Sequence, residues 1–598
     1  MAQGQTIELH PPLGGVRSDV VPYDIPPGFL WRSQNIVPRY GRLRTRPGLQ
    51  KAATTGPGSR ISGGFTFKNA AGAQQIVAAT LTKWYKLLGD AWVDISGAFS
   101  WTNGADDPQR FAVFPAAGSN WLVGVNNVDV PKKWDGTAAA AISVGGTPPI
   151  AKDCTVAGNF LVLGNVVESG VRSASRIRVS DFNDLDLWTQ YGAADLTDTN
   201  DDIVAVRALT RTSFAIYKEK SIWMAWAQLG LFPFQFETME YRPGPVSPSA
   251  VIRVDQDHYY IGTDSRIHHF NGLSAEIVSG PIEKYIQDVA LATAFRSVNR
   301  ARCFGFFNFY DRHLWWFYPG PNNADPTLAI SFHRDTGALH LHVFPLAVTA
   351  GWEGDDIATL AWSDLTGTWS AIGPGSYPTW DSFGGTLQNT AFIGSLAGQV
   401  YRQRYDSDDD GAAIPQSWEL PLKTWFGMRH NTHVDGVENF FTQKTSGPLV
   451  TVQVGTSPAL AEVLDPTYQT VGSHDTTLTT RQKVAIPVLD ARFWSIRYAL
   501  SSSTPIEWAG GAATGWPEEV PESQGAAVAA SAVFTVNMTE NQTAVVITGQ
   551  SFPSGGIVLY NTSWGTEVII TGYTTSGFTA TFTVGARLGD VFTYKVES

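Results

Sequence analysis

The sequence predicts an all-β protein: a β-propeller of six to eight blades, an additional antiparallel β domain and a C-terminal Ig-like β-sandwich. Three observations support this class. The 598 residues include 58 glycines, 34 prolines and 21 tryptophans, and only 16% are charged. Short apolar strands alternate with polar turns, which is typical of strand-rich folds. These strand pairs recur about every 40 to 50 residues, the rhythm of radially repeated four-stranded blades.

Hairpin signals mark the candidate blades. Asp-Gly, Asn-Gly or Gly-Asp dipeptides separate apolar strands within residues 83–96, 130–143 and 266–279. Asp-Gly and Asn-Gly readily adopt the positive φ angles of two-residue hairpin turns. A further hairpin is predicted to begin at Asn159, and other turns are predicted at residues 218–220, 263–265, 311–312, 335–337 and 397–398. A string of β-sandwiches or a long mixed sheet is the alternative arrangement.

One segment interrupts this β pattern. Pro281 stands at a plausible first helical position, and apolar residues follow at helical spacing. We therefore expect a helical crossover of about four turns near residues 281–297. The apolar face consists of Ile282, Tyr285, Ile286, Val289 and Ala290.

Changes in composition divide the chain. A Pro- and Gly-rich opening precedes the hairpins, and a segment rich in Pro, Glu, Ala and Ser reads as a linker before the last strands. The predicted divisions are a basic N-terminal docking arm at 1–59, the propeller at 60–405, an antiparallel β domain at 406–520, the linker at 521–531 and the Ig-like sandwich at 532–598.

Charge is distributed unevenly. The formal net charge is −12, yet residues 1–60 hold eight Lys or Arg and only three Asp or Glu. Arg39, Arg42, Arg44 and Arg46 fall within eight residues. A net negative chain has the wrong sign for tight phosphate binding. A basic arm on an acidic body instead favours docking on a protein surface.

The sharpest chemical motif is an acidic turn. Asp406, Asp408 and Asp410 precede Gly411, which matches the first half of a calcium loop. Ser417 stands where the loop's bidentate Glu belongs, and Pro415 interrupts the motif. A solvated acidic turn is therefore the alternative to calcium, and no other cofactor is expected.

Other signals are weaker. His340 and His342 share one face of a predicted strand, which suits a satisfied pair better than zinc. The two cysteines, Cys154 and Cys303, lack metal-ligand spacing. The sequence shows no secretory signal, no apolar run long enough to span a bilayer and no familiar catalytic motif. These features predict a protein made in the cytosol, without a membrane anchor and without enzymatic activity.

The opening of the chain resembles tail nozzle proteins of short-tailed bacteriophages, of the tail tubular protein B and packaged-DNA stabilisation (tail hub) types. The shared features are an Asn after a Pro/Gly-rich lead and a G-x-L-R-x-R-P-G segment. Similar stretches occur at 176–189, 278–286 and 492–511, so the resemblance covers roughly residues 10 to 515 and leaves out the last sandwich. The first segment is carried here by Asn35, Gly41, Leu43, Arg44, Arg46, Pro47 and Gly48.

The resemblance implies a structural virion protein in the distal tail, assembled in the host cytoplasm. It implies a homohexameric ring below an adaptor ring, with tail fibres or spikes outside. Double-stranded phage DNA would pass through a gated channel without sequence-specific binding. Arg39, Arg42, Arg44 and Arg46 are then expected to dock on acidic surface of the propeller or of an adjacent subunit. The alternative is that some of them face the DNA channel.

A different functional class remains open from the residues alone. A propeller glycosidase or carbohydrate-binding protein would use the C-terminal sandwich as a binding module. Exposed tryptophans such as Trp508 or Trp516 would stack on sugars.

Overall fold

The computed structural model describes residues 5–598, apart from residues 117, 289, 296, 357–387, 406–407, 424–429, 443–446, 458–466, 478–481, 487–489, 492, 520–541, 549–556, 562–565, 575–576, 587–591 and 597–598. The chain divides into two units, Met1–Pro517 and Glu518–Ser598. In the described part, no helix is long and apolar enough to cross a membrane.

The N-terminal segment supplies five short strands to three different sheets. Two of these sheets belong to a domain that the chain completes only after residue 410, and the third is a propeller blade. The segment predicted as a basic docking arm is thus integrated into the body of the first unit. Its strands are β1 (Gln5–Leu9), β2 (Arg32–Gln34), β3 (Ile36–Arg39), β4 (Arg42–Thr45) and β5 (Gly48–Lys51).

Seven four-stranded antiparallel sheets form the β-propeller, which confirms the predicted fold class. Blades 1 to 3 are β6 (Ile61–Lys68), β7 (Gln74–Thr80), β8 (Trp84–Leu88) and β9 (Ala91–Asp94); β10 (Arg110–Ala116), β11 (Ser119–Val125), β12 (Lys132–Trp134) and β13 (Ile142–Ser143); and β14 (Ile150–Ala157), β15 (Phe160–Glu168), β16 (Val171–Val179) and β17 (Ala193–Asp195). Blades 4 and 5 are β18 (Ile203–Ala208), β19 (Ser213–Lys218), β20 (Ile222–Ala227) and β21 (Phe234–Glu240); and β22 (Val251–Val254), β23 (Asp257–Ile261), β24 (Ile267–Phe270) and β25 (Ala275–Ile277). Blades 6 and 7 are β26 (Phe304–Asn308), β27 (His313–Tyr318), β28 (Leu328–His333) and β29 (Leu339–Val343); and β30 (Val348–Asp356), β31 (Gln388–Ser395) and β32 (Val400–Arg404), completed by β5.

The ring is closed by strands from distant parts of the chain. The first strand of each blade contacts the first strand of the next, and β30 of blade 7 contacts β6 of blade 1. Blade 7 takes its outermost strand from the N-terminal segment, because β5 pairs with β32 from Lys51↔Tyr401 to Gly48↔Arg404. This pairing covers a strand edge that would otherwise be open.

Two details differ from the sequence prediction. The hairpin expected at Asn159 is one continuous strand, β15, with a register shift between Gly164 and Val166. Asn165 has a φ of 55°, so it forms a bulge and not a turn. Similar residues favour both features, and only the pairing partners distinguish them.

The predicted four-turn helix is also wrong. A 3-10 turn, Gly280–Ile282, leads into α1 (Glu283–Gln287), and Asp288 is already extended. The Asp288 Oδ1 accepts a hydrogen bond from the Ala290 backbone N–H at 3.0 Å, a local bond that competes with helix continuation. Short 3-10 helices also span Pro248–Ala250 and Ser297–Arg302.

A second β domain completes the first unit with two antiparallel sheets. One has the order β3-β4-β40-β34-β37, with β1 on β40 and β38 on β34; the other has the order β2-β33-β39-β35-β36. The rings of Trp418, Tyr498 and Trp508 pack together in its core, with centroids 4.9 to 5.8 Å apart, and those of Trp418 and Tyr498 are stacked. Its later strands are β33 (Ile414–Glu419), β34 (His430–Phe441), β35 (Leu449–Ser457), β36 (Thr467–Asp475), β37 (Gln482–Ala485), β38 (Asp490–Ala491), β39 (Phe493–Ser502) and β40 (Glu507–Glu519).

The second unit contains one antiparallel sheet among its described residues, with the order β41-β44-β43-β42-β45. The first strand predicted there, at 532–538, lies outside the described residues. An Ig-like sandwich therefore stays a prediction. The strands are β41 (Gln542–Thr548), β42 (Ile557–Asn561), β43 (Thr566–Thr574), β44 (Gly577–Ala586) and β45 (Phe592–Val596).

Candidate functional site: the arginine segment and the propeller axis

The four clustered arginines lie on and just after one β-hairpin. Strands β3 and β4 pair from Ile36↔Thr45 to Arg39↔Arg42, which leaves a two-residue turn of Tyr40 and Gly41. Both turn residues have positive φ, 51° and 76°. This is the geometry of a type I′ hairpin turn. The turn holds Arg39 and Arg42 side by side at the tip, while Arg46 lies at the base.

Arg46 is completely buried and fully hydrogen-bonded. Its side chain is 0% exposed, as is that of Asp409. Two of its N–H groups bind the Asp409 carboxylate, at 2.9 and 2.5 Å. The other three donate to Asn35 Oδ1 and to the carbonyls of Pro47 and Val343, at 2.9 to 3.2 Å. Because all five guanidinium donors are satisfied, Arg46 links the segment, blade 6 and the acidic turn.

Arg42 and Arg44 share one carboxylate nearer the surface. Arg42 Nη1 lies 3.1 Å from Glu507 Oε2 and donates to Thr442 Oγ1 at 2.7 Å. Arg44 Nε lies 3.4 Å from Glu507 Oε1. Both contacts are within the chain, on the domain completed after residue 410. Three of the four arginines therefore find acidic partners in their own chain, outside the propeller.

Arg39 is held by aromatic rings. Its guanidinium carbon lies 4.1 Å from the ring centroid of Tyr405, 4.7 Å from that of Tyr40 and 4.8 Å from that of Tyr310. Cation–π attraction favours this arrangement. Burial opposes the charged form, but the hydrogen bond to Tyr40 and the hydroxyls of Tyr405 and Tyr310 leave the pKa of Arg39 raised.

The acidic turn is built into the same structure. Asp406 lies outside the described residues. Asp408 Oδ1 accepts the Gly411 N–H at 2.9 Å, Asp409 binds Arg46, and Asp410 lies 3.0 Å from Lys51 Nζ. Among the residues that the structure describes, no group of three or more His, Cys, Asp or Glu side chains is arranged to hold a metal. Calcium at Asp406, Asp408 and Asp410 stays a prediction.

The propeller axis is narrow. A cavity of about 180 Å³ lies between the first strands of the blades. Glycines permit the close packing around it: a Cβ on Gly64 would lie 2.3 Å from the Trp352 ring, and one on Gly351 would lie 2.5 Å from Phe306. Such distances are far inside van der Waals contact, so these inner positions cannot take a side chain without a shift of their neighbours.

Charged groups line this axis. Asp153 binds Arg207 at 2.5 Å and Arg110 at 3.3 Å, from three different blades. Burial and the nearby Arg207 lower the pKa of Arg110 to about 10. Glu353 lines the same cavity.

A second set of ion pairs closes the neighbouring end of the axis. Arg60 lies 2.6 Å from Asp325, and Arg302 lies 3.3 Å from Asp325 and 2.7 Å from Asp106. Arg60 and Arg302 also line a small pocket that includes Ser62 and Ser249, two residues of the axial cavity. Ion-paired side chains therefore border the axis at two levels.

Most of the other residues considered for chemistry are buried. His340 Nδ1 shares a hydrogen bond of 3.1 Å with Ser33 Oγ, and burial lowers the pKa of His340 to about 3. Burial also lowers the pKa of His342, and it raises the pKa of the Cys154 thiol to about 12. Trp508 is fully buried and so unavailable for stacking on a sugar. The side chain of Trp516 lies outside the described residues.

Comparisons with known proteins concern the fold. No family model and no curated protein matches the chain. The chain is similar to the structure titled "Crystal structure of BBS1N in complex with ARL6DN, soaked with lead", with a TM-score of 0.36, 11% identity and coverage of 60% of this chain and 98% of that one. It is also similar to a chain of "Crystal Structure of Mitotic Checkpoint Complex", with a TM-score of 0.34, 9% identity and coverage of 60% and 95%.

Proposed function

We propose that the chain is a structural virion protein, the tail nozzle of a short-tailed bacteriophage. In this proposal six copies form a ring with a gated channel that retains the packaged genome and releases it at infection. The observation that carries the proposal is the arginine segment. The residues by which it resembles nozzle proteins, from Asn35 to Gly48, are those that join the propeller, the second β domain and the acidic turn.

The propeller axis cannot serve as the channel. The cavity there measures about 180 Å³, and Arg110 and Arg207, both ion-paired to Asp153, line it. A DNA duplex is far wider than this cavity. The proposed passage therefore lies between copies, and the propellers form its wall. The net charge of −12 suits such a wall, because like charge keeps phosphate from adhering.

The propellers in this proposal work as rigid bodies. Seven sheets with a closed edge and ion-paired inner strands resist deformation better than an open sheet. The proposed partners are a tail adaptor ring on one side and fibres or spikes on the outside, in the distal tail of a virion assembled in the host cytoplasm. The carbohydrate-binding alternative cannot use Trp508 to stack on a sugar, because this side chain is buried.

The test is direct imaging of the purified full-length chain. We expect negative-stain micrographs and native mass spectrometry to give a six-fold ring with a central opening. A monomer at all accessible concentrations, or a particle without an opening, would contradict the proposal. Retention of that monomer on a polysaccharide affinity column would support the carbohydrate-binding alternative.

A further inference from the structure

The hairpin tip that carries Arg39 forms an exposed aromatic surface. Tyr40 is 83% exposed, Tyr310 57% and Phe309 55%. Tyr40 comes from the turn between β3 and β4, and Phe309 and Tyr310 come from the turn between β26 and β27. Arg39 lies between the rings of Tyr40 and Tyr310. We call these four residues the tyrosine–arginine patch.

Folding does not explain the tyrosine at this turn. Tyr40 has a φ of 51° at the first position of a type I′ turn, where Asn, Asp and Gly are preferred. A bulky residue with positive φ is an outlier, and strain of this kind points to a role outside folding. The Tyr40 ring is almost fully exposed, so its contribution to the core is small. A contact with another molecule gives this ring a role.

The charge of the patch indicates what that molecule carries. Arg46, Arg44 and Arg42 are paired with Asp409 or Glu507. No ion pair joins Arg39 to a carboxylate within the described ranges; its contacts there are tyrosines. The rings hold the guanidinium in a fixed position, ready for a bidentate carboxylate.

An acidic protein surface fits the patch better than nucleic acid does. Nucleic-acid binding needs several phosphate contacts, and the patch offers a single cation, Arg39, that no carboxylate among the described residues balances. Arg and Tyr are enriched at the centres of protein interfaces. The chain itself has a net charge of −12, so a second copy presents the required carboxylates.

We propose that the tyrosine–arginine patch is a contact between copies of this chain, in which a carboxylate of the second copy binds Arg39 while Tyr40 and Tyr310 pack beside it. The contact joins a basic aromatic patch to a different, acidic surface, so it is heterologous. Contacts of this type generate rings when the rotation closes. The inference rests on the proposed ring-forming function and names the surface that builds the ring.

The experiment compares variants of the full chain by mass photometry over a concentration series at low and high salt. Arg39→Glu reverses the charge, and Tyr40→Asn replaces the ring with a residue that suits the turn. Arg211→Glu, at an exposed turn between β18 and β19, is the control for charge reversal. We expect Arg39→Glu and Tyr40→Asn to raise the concentration for half-assembly about tenfold, the loss of one hot-spot contact. Arg211→Glu should assemble like the wild type. The half-assembly concentration of Arg39→Lys should lie between that of the wild type and that of Arg39→Glu.

Thermal unfolding separates assembly from folding. Tyr40→Asn should leave the Tm unchanged or raise it, because Asn suits a positive φ better than Tyr does. If wild-type rings form and both patch variants form them equally well, the contact is refuted while the nozzle proposal stands. If the wild type stays monomeric, the nozzle proposal fails and the contact fails with it. Binding of a single-stranded oligonucleotide that Arg39→Glu abolishes, with assembly unchanged, would also overturn the contact.

Discussion

Replacing Arg46 tests whether the arginine segment locks the first unit together. Arg46→Met leaves the Asp409 carboxylate buried at 0% exposure without its cation. It also removes the donor from the carbonyls of Pro47 and Val343, and one of the two donors to Asn35 Oδ1, which still accepts the Val343 N–H. Removing one partner of a buried ion pair typically costs about 3–5 kcal/mol. We expect the free energy of unfolding to fall by about that amount.

A double-mutant cycle separates the ion pair from simple loss of packing. Arg46→Met together with Asp409→Leu removes the isolated charge but still leaves the carbonyls of Pro47 and Val343 without the Arg46 donor. The double variant should therefore lose about 1–3 kcal/mol, less than Arg46→Met alone. The coupling energy should exceed about 1 kcal/mol, since contacting residues are not additive.

The assay is equilibrium urea unfolding followed by tryptophan fluorescence. Trp418, Trp494 and Trp508 are buried in the domain that Arg46 helps to hold, so the total emission of the chain's 21 tryptophans includes the unfolding of that domain. Arg42→Met is the matched control, because its side chain is 46% exposed and its ion pair should contribute less than about 1 kcal/mol. An Arg46→Met loss no larger than that of Arg42→Met, or strict additivity in the cycle, would refute the reasoning.

Three further predictions concern buried histidines, a tightly packed glycine and buried cysteines. Burial lowers the pKa of both His258 and His340 to about 3, so the unfolded chain binds more protons than the folded chain below pH 6.5. Stability should therefore fall on acidification, by about 2 kcal/mol per histidine at pH 5. His340→Gln should flatten the profile of Tm against pH. Gly64→Ala should cost about 1–3 kcal/mol in urea unfolding because its Cβ would meet the Trp352 ring, whereas Gly192→Ala, with open space around it, should be within about 0.5 kcal/mol of the wild type. The thiols of Cys154 and Cys303 are buried, which raises the pKa of each, so an aromatic disulfide reagent should label neither until urea unfolds the chain; rapid labelling of native protein would contradict their burial.

Local patterns in the sequence were enough to predict the propeller, but not its closure. Dipeptides with positive φ mark hairpins such as β8–β9, where Gly89 has a φ of 57°. The same kind of dipeptide, Gly164-Asn165, is a bulge inside β15, because the choice depends on which strand pairs with it. The pairing of β5 with β32 joins residues about 350 positions apart, and no local pattern encodes such a partner.

The candidate site shows the same division. The arginine cluster and the acidic turn both stand out by composition, and the structure places Arg46 against Asp409. Asp409 falls between the alternate aspartates of the calcium motif, so motif matching passed over it. The tyrosine–arginine patch combines Tyr40 with Phe309 and Tyr310, which are about 270 residues apart. A turn tyrosine where Asn or Gly is preferred was the only signal of the patch in the sequence.

Charge explains why an acidic chain begins with arginines. Residues 1–60 contain eight basic and three acidic residues, whereas residues 406–520 contain seven basic and fourteen acidic ones. The first segment inserts its strands into the sheets of the second, where Arg42, Arg44 and Arg46 meet Glu507 and Asp409. Opposite charge on two distant segments favours this pairing over the pairing of either segment with itself. Because the same segment supplies β5 to blade 7, the ion pairs that assemble the second domain also hold the propeller ring closed.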